Sequence, residues 1–273
     1  MGRKKNTPAD RRFEMAHLVR AERISPSFVR LTLGGLDRLP PRGYDHWCRL
    51  FFPRDGQDVL QLPTRTSEVG WYLQYLATPR TRRPWVRAYT CREVRPEAGE
   101  VDIDFVIHQD DQGCLGPAAR FALTAQPGER LGFLDQGIGF TPDHPHDWTL
   151  LVADETALPA VAGICSSLRR DTRGIAIVEV PAGGDRQEFP VPPAMEVRWI
   201  HRDESSEAAG RPGRLALEAL KATIPPSGVV HAHLIGEAAL ATGARRHLVQ
   251  VWGVPKRNVD FVGYWRYGRP ATS

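Results

Sequence analysis

The chain has 273 residues, 41% hydrophobic and 25% charged, with 36 Lys and Arg against 32 Asp and Glu for a net charge of +4. That balance belongs to a globular protein with a packed core and length for roughly two domains, and no apolar run approaches the roughly 18 residues that cross a bilayer. The basic start, MGRKKNTPADRR, leads into no apolar export segment, and the four cysteines, Cys48, Cys91, Cys114 and Cys165, lie far apart without a CxxC pair. Zinc, iron–sulfur and disulfide frameworks are therefore disfavoured, and a reduced, cytoplasmic setting is expected.

In chain order, residues 1–12 read as a disordered basic tail and residues 13–141 as a β-rich unit. Strands are expected over residues 13–24, 28–33, 47–52, 86–91, 101–107 and 130–134, separated by turns such as Pro53-Arg54-Asp55-Gly56. Many short strands with such punctuation suggest a small barrel, interrupted by one helix over residues 117–125, where Pro117 suits the first turn after Gly116. Residues 136–147, with Gly137, Gly139, Pro142 and Pro145, read as a connection. From 147 to 273 the pattern changes: strands at 149–153, 175–180, 197–201, 229–235 and 259–263 alternate with helices at 157–168, 215–222 and 237–251. Such alternation predicts an open, mostly parallel sheet with helices on its faces. The expected fold class is a small β barrel followed by a nucleotide-binding α/β domain.

Four segments carry chemistry. In Arg87-Ala88-Tyr89-Thr90-Cys91-Arg92, alternation sends Arg87, Tyr89 and Cys91 to one face. Arginine supplies a fork for phosphate, tyrosine a flat face and threonine a short hydroxyl, so the run is either a flavin clamp or an exposed edge strand with solvated arginines. A strand ending in Val106 and His108 precedes Gly116-Pro117-Ala118-Ala119, a helix start whose small residues let amides approach a phosphate. Leu151-Val152-Ala153-Asp154-Glu155-Thr156-Ala157-Leu158-Pro159 runs from strand to helix at the edge where open α/β sheets bind ligands, with Thr156 placed to cap the helix. Gly263-Tyr264-Trp265-Arg266-Tyr267-Gly268 gathers three aromatics and an arginine, suited to stacking or to core filling. The pairs His144/His146 and His231/His233 each lack a third ligand, so no metal is expected. Basic clusters in the first twelve residues and at Arg80, Arg82, Arg83 and Arg87 lack the interleaved aromatics of nucleic-acid modules, and no GxSxG, HExxH, Walker or GxGxxG motif occurs.

Taken in order, RAYTCR (87–92), VDIDFVIH (101–108), GPAARFA (116–122), LVADETALPA (151–160), IGEA (235–238) and GYWRYG (263–268) resemble the siderophore-interacting protein family, FAD-dependent ferric-siderophore reductases related to ferredoxin reductases. The resemblance implies FAD in the barrel domain and NADPH or NADH in the α/β domain, with hydride transfer to FAD and single-electron transfer to chelated ferric iron. It implies that Arg87, Tyr89, Thr90 and Cys91 meet the flavin and its phosphate. Val106, His108 and Gly116, Pro117, Ala118 and Ala119 would hold the pyrophosphate and adenosine side, and Asp154, Thr156, Ala157 and Glu237 would line the nicotinamide nucleotide site. Gln109, where the family has glycine, and the lengthened 110–115 segment depart from the pattern. An anionic ferric siderophore would be drawn by Arg82, Arg83, Lys256, Arg257 and Arg266, and Arg186 or Arg202 would receive a 2′-phosphate. A monomer without nucleic acid or membrane insertion is expected. The alternatives are a general NAD(P)H:flavin or ferredoxin-type reductase, and a non-catalytic FAD- or siderophore-binding protein.

Overall fold

The computed structural model describes residues 7–54, 56–57, 59–108, 113, 115–204 and 210–269. Two compact units are present among the described residues, one built from residues 7–42 and His46–Ile138, the other from Gly43–Asp45 and residues 139–269. Gln109 and most of the 110–115 segment, including Cys114, lie outside the described residues.

The first unit is a seven-stranded antiparallel sheet of barrel type. Its elements are β1 (Phe13–Ser25), β2 (Phe28–Gly34), β3 (Trp47–Phe52), α1 (Glu68–Ala77), β4 (Trp85–Thr90), β5 (Glu93–Arg95), β6 (Glu100–Val106), α2 (Pro117–Thr124) and β7 (Arg130–Asp135). The strand order β4-β3-β7-β1-β2-β6-β5 leaves β4 at an edge. Leu31, Leu33, Leu50, Phe52, Ile103, Phe105, Leu131 and Phe133 fill the interior, and Phe121 of α2 packs on Phe52 at 5.2 Å between ring centroids. Two elements depart from expectation. Helix α1 was not foreseen because only Trp71 and Tyr75 of it are buried, so its apolar pattern carries little core signal. The short β5 pairs with β6 in a tight hairpin around Gly99, whose φ of +63° favours glycine. Within the expected basic tail, residues 1–6 are undescribed, but Arg11 is buried and donates to the Thr66 carbonyl at 2.7 Å and to Glu68 at 3.0 Å. Order therefore begins before Phe13.

The second unit is a five-stranded parallel sheet in the order β10-β9-β8-β11-β12. It comprises β8 (Trp148–Ala153), α3 (Leu158–Ser167), β9 (Arg173–Val180), β10 (Ala194–His201), α4 (Arg214–Ala222), β11 (Val230–Glu237), α5 (Ala238–Gln250) and β12 (Val259–Trp265). Strands β8 and β11 are buried along their whole length, as central parallel strands covered on both faces must be. The chain builds outward from β8 to β10 and then returns to lay β11 on the other side of β8. That reversal opens a crevice at the carboxyl ends of β8 and β11, where such sheets take ligands.

Glu179, fully buried near the end of β9, fixes this edge. Its carboxylate accepts from the backbone N–H groups of Gly213 and Ala216, both at 2.8 Å, and from Arg202 at 2.7 Å. Helix α4 has no side-chain cap of its own, so Glu179 takes the place of one. Replacing Glu179 by Ala leaves Arg202 to Glu155 alone and strands the Gly213 and Ala216 amides, and equilibrium urea unfolding should show a loss of about 3 kcal/mol. A loss below about 1 kcal/mol would assign the network no such role.

Candidate functional site

Edge strand β4 carries the first half of the site. Tyr89 is half-buried with its ring tilted over Phe105 at 4.1 Å, and burial pushes its phenol above the ordinary range. Arg87 is also half-buried, and burial pulls its guanidinium down from the ordinary value. Its hydrogen bond is to the neighbouring Val86 carbonyl at 2.7 Å, and no carboxylate pairs with it among the described residues. By contrast Arg30 is bidentate to Asp104 at 2.6 and 2.9 Å, Arg95 is held by Asp102 at 2.6 Å, and Arg42 reaches Asp135 at 2.8 Å. A desolvated cation without an anion is a site for one from outside the chain.

Thr90 is buried, paired across from Trp47. Cys91 is buried too, and its backbone N–H donates to the His46 carbonyl at 2.8 Å. Burial would push the Cys91 thiol up, but its hydrogen bond with Cys48 and the nearby His46 outweigh burial and lower it.

Helix α2 packs against β2, β3, β4 and β6 in the same unit. Gly116 is its N-cap, Pro117 opens it, and no side chain caps it. A Cβ on Gly116 would meet nothing within 4 Å, so the space before the first-turn amides of Ala118 and Ala119 is open. Val106 ends β6 half-buried and His108 is exposed two residues later. An open helix start and an unpaired arginine on one unit fit the phosphates of a flavin nucleotide.

In the second unit, Asp154 and Glu155 follow β8, and Glu237 ends β11; all three are fully buried. Thr156 does not cap α3 as expected. The chain first tightens into a single 3₁₀ turn, Glu155–Ala157, and Asp154 caps that turn by accepting from the Thr156 N–H at 2.9 Å. Burial and the neighbouring Glu155 charge raise the Asp154 carboxyl to about 7. Gly236, at a φ of +121°, passes so close that a Cβ there would lie 2.7 Å from the Asp154 carboxylate. Glu237 caps α5 by accepting from Ala239 and Leu240 and pairs with Arg211; burial opposes its charge, but Arg211 and the Tyr267 and Ala239 N–H groups hold it below the usual range.

Arg202 is not available for a 2′-phosphate: it is clamped by Glu155 at 2.6 Å and Glu179 at 2.7 Å. Arg186 lies over the Trp199 ring at 5.5 Å. Instead Arg211 and Arg266 line a cleft of about 300 Å³ with Ala238, Ala239 and Thr242 at the start of α5. Arg211 and Thr242 were missed in the sequence; the Gly210-Arg211-Pro212-Gly213 turn, a cation framed by chain-bending residues, was the available signal. Lys256, Arg257 and Arg266 are exposed, as is Arg82, whereas Arg83 is spent on the carbonyls of Leu76 and Thr78.

The two histidine pairs do meet. The rings of His144, His146 and His231 lie 5.3 to 5.8 Å apart, and Phe140 wedges its edge against His231 and His233. Among the described residues no group of three or more His, Cys, Asp or Glu is arranged to hold a metal ion, and no helix is long and apolar enough to cross a membrane.

A seven-stranded antiparallel unit followed by a parallel nucleotide-type unit is the ferredoxin-reductase-like fold, and a ferredoxin reductase of carbazole 1,9a-dioxygenase superposes with a TM-score of 0.63 at 15% identity. Residues 17–138 match the siderophore-interacting FAD-binding domain and residues 146–268 the siderophore-interacting protein domain. The chain belongs to the siderophore-interacting protein family. It is similar over its full length to a siderophore utilization protein from T. fusca, at 32% identity, a TM-score of 0.81 and 99% of that chain. It is 28% identical to the ferric vibriobactin reductase ViuB of Vibrio cholerae, over 92% of this chain and 88% of the relative. It is 30% identical to the NADPH-dependent ferric-chelate reductase of Escherichia coli, over 72% and 74%.

His231 also sets a pH dependence. Burial first, then the neighbouring His233, His146 and His144, lower its folded-state value to about 3, against the weaker pull of Asp143; Asp260 stands 3.6 Å from its Nε2. The unfolded chain binds a proton near the ordinary value of 6.5 and the folded chain does not, so stability is complete above that value and is lost as pH falls below it. Between pH 7 and pH 5 the loss from this residue is about 2 kcal/mol. Unfolding of His231→Gln across that range should be flatter by that amount, and an unchanged slope would contradict the assignment.

Proposed function

We propose that the chain is a cytoplasmic FAD-dependent reductase of ferric siderophores that draws its electrons from NAD(P)H. The observation that carries this reading is Arg87, a half-buried guanidinium without a carboxylate partner among the described residues, on an edge strand that packs against α2, a helix with no side-chain cap. Arg87 and Thr90 bind the flavin phosphate side, Tyr89 presents its ring to the cofactor, and Gly116, Pro117, Ala118 and Ala119 leave the pyrophosphate room, with Val106 and His108 beside them. FAD, when bound, accepts electrons as a pair and passes them on singly, so one NAD(P)H serves two ferric ions.

In the α/β unit, Asp154, Thr156, Ala157 and Glu237 shape the two turns that face the nicotinamide nucleotide. Being fully buried, Asp154 and Glu237 act by positioning these turns. The cleft between Arg211 and Arg266 takes a phosphate of that nucleotide, which favours NADPH, the donor printed in the name of the Escherichia coli relative. Exposed Lys256, Arg257, Arg266 and Arg82 draw an anionic ferric chelate by long-range attraction. Release follows from chemistry rather than from a side chain, since hard oxygen donors hold ferrous iron less tightly than ferric iron. No general acid or base is needed for that step.

The test is an anaerobic mixture of FAD-loaded protein, a ferric siderophore and a ferrous-specific chelator, with NADPH and NADH supplied separately. Ferrous complex should accumulate with NADPH, and Arg211→Ala with Arg266→Ala should raise the KM for NADPH about tenfold while changing that for NADH little. No ferrous signal with either nucleotide would leave a protein that binds without turning over.

A further inference from the structure

Helix α1 exposes what helices of globular proteins bury. Val69, Tyr72, Leu73 and Leu76 are 69%, 50%, 56% and 41% exposed, and they account for four of the twelve exposed large apolar side chains among the described residues. Their spacing of i, i+3, i+4 and i+7 puts all four in one stripe about 100° wide. Trp71 and Tyr75 occupy the opposite side and are buried. The exposure is a built feature rather than fraying. Trp71 packs on Phe51 and Phe13 at 5.8 and 6.3 Å, the Tyr75 hydroxyl donates to the Pro84 carbonyl at 3.0 Å, Ser67 caps the N-terminus, and Arg83 takes the carbonyls of Leu76 and Thr78 at the other end.

The rim of this stripe is cationic. Arg65 precedes the helix and Arg80 and Arg82 follow it; all three are exposed, and none pairs with a carboxylate among the described residues. The one acidic residue of the helix, Glu68, is already shared by Arg11 at 3.0 Å and Arg49 at 3.6 Å. A second copy meeting this face would set cations against cations. A folded protein partner needs roughly 800 Å² of complementary surface per side, more than four side chains on a convex ridge supply. A lipid surface needs neither complementary shape nor large area; it asks for an apolar stripe at the acyl boundary and cations at the level of the headgroups.

We propose that α1 is a peripheral docking element that lays Val69, Tyr72, Leu73 and Leu76 into an anionic lipid surface, with Arg65, Arg80 and Arg82 against the headgroups. The contact is superficial and reversible, since a helix of ten residues lies on a bilayer and does not span it. Its function is to hold the chain at a membrane surface.

Co-sedimentation with large unilamellar vesicles tests this, using phosphatidylcholine alone and phosphatidylcholine mixed equally with phosphatidylglycerol. The wild-type chain should pellet with the mixed vesicles at low salt and stay in solution with the neutral ones. Changing Val69, Tyr72, Leu73 and Leu76 together to Ser should cut the partition coefficient by about tenfold or more, and Arg80→Glu with Arg82→Glu should do the same. Both variants alter exposed side chains only, so their circular dichroism and unfolding midpoints should match the wild type. The proposal is overturned if the wild type does not pellet, or if the serine variant pellets equally, which would reduce the effect to charge alone. It is also overturned if the serine variant converts a dimer to a monomer in sedimentation velocity without changing vesicle binding, which would give the face to a second copy.

Discussion

Buried charge governs the carboxyl edge of the parallel sheet. Asp154, Glu155, Glu179 and Glu237 are all fully shielded from water at the ends of β8, β9 and β11, a placement that is unfavourable unless every charge finds a partner. Arg202 answers two of them, Arg211 a third, and backbone N–H groups at the starts of α4 and α5 and in the Asp154 turn complete the set. The consequence is a rigid edge. The loops at this edge are held by hydrogen bonds made within the protein, so the crevice does not have to be organised when a ligand enters.

The antiparallel unit shows the complementary case. Arg30, Arg42 and Arg95 each meet a carboxylate within hydrogen-bonding distance, and Arg49 and Arg92 stand 3.6 and 3.9 Å from one. Arg87 alone among these partly buried arginines has no such neighbour among the described residues. Leaving the Arg87 cation desolvated and unpaired costs stability, and an anion bound there would recover it.

Much of this was legible because a strand covered on both faces reads as a short, nearly continuous apolar run. The fully buried Trp148–Ala153 and Val230–Glu237 runs and the largely buried, apolar-rich β2 and β3 were readable for that reason. Helix α1 was not, since Val69, Tyr72, Leu73 and Leu76 on one side and Trp71 and Tyr75 on the other leave too little polar face to mark a helical period. The partners of charged residues were equally hidden. Arg202 looked like a phosphate ligand in sequence, yet it is clamped by Glu155, 47 residues away, and Glu179, 23 away. Thr156 looked like a cap because Asp154 and Thr156 are both capping residues, and only the 3₁₀ turn decides between them. Arg87 was identified by its neighbours in the RAYTCR run, but its lack of a carboxylate is a property of the fold.

The account turns on that open guanidinium, and ligand binding measures it directly. Flavin fluorescence titrations of the wild-type chain and of Arg87→Gln, each with FAD and with riboflavin, compare ligands that share the ring and differ in phosphate. The wild type should bind FAD at least about tenfold more tightly than riboflavin, and Arg87→Gln should lose most of that advantage while binding riboflavin as before. Equal affinity of the two proteins for FAD would contradict the assignment of Arg87 as the phosphate anchor.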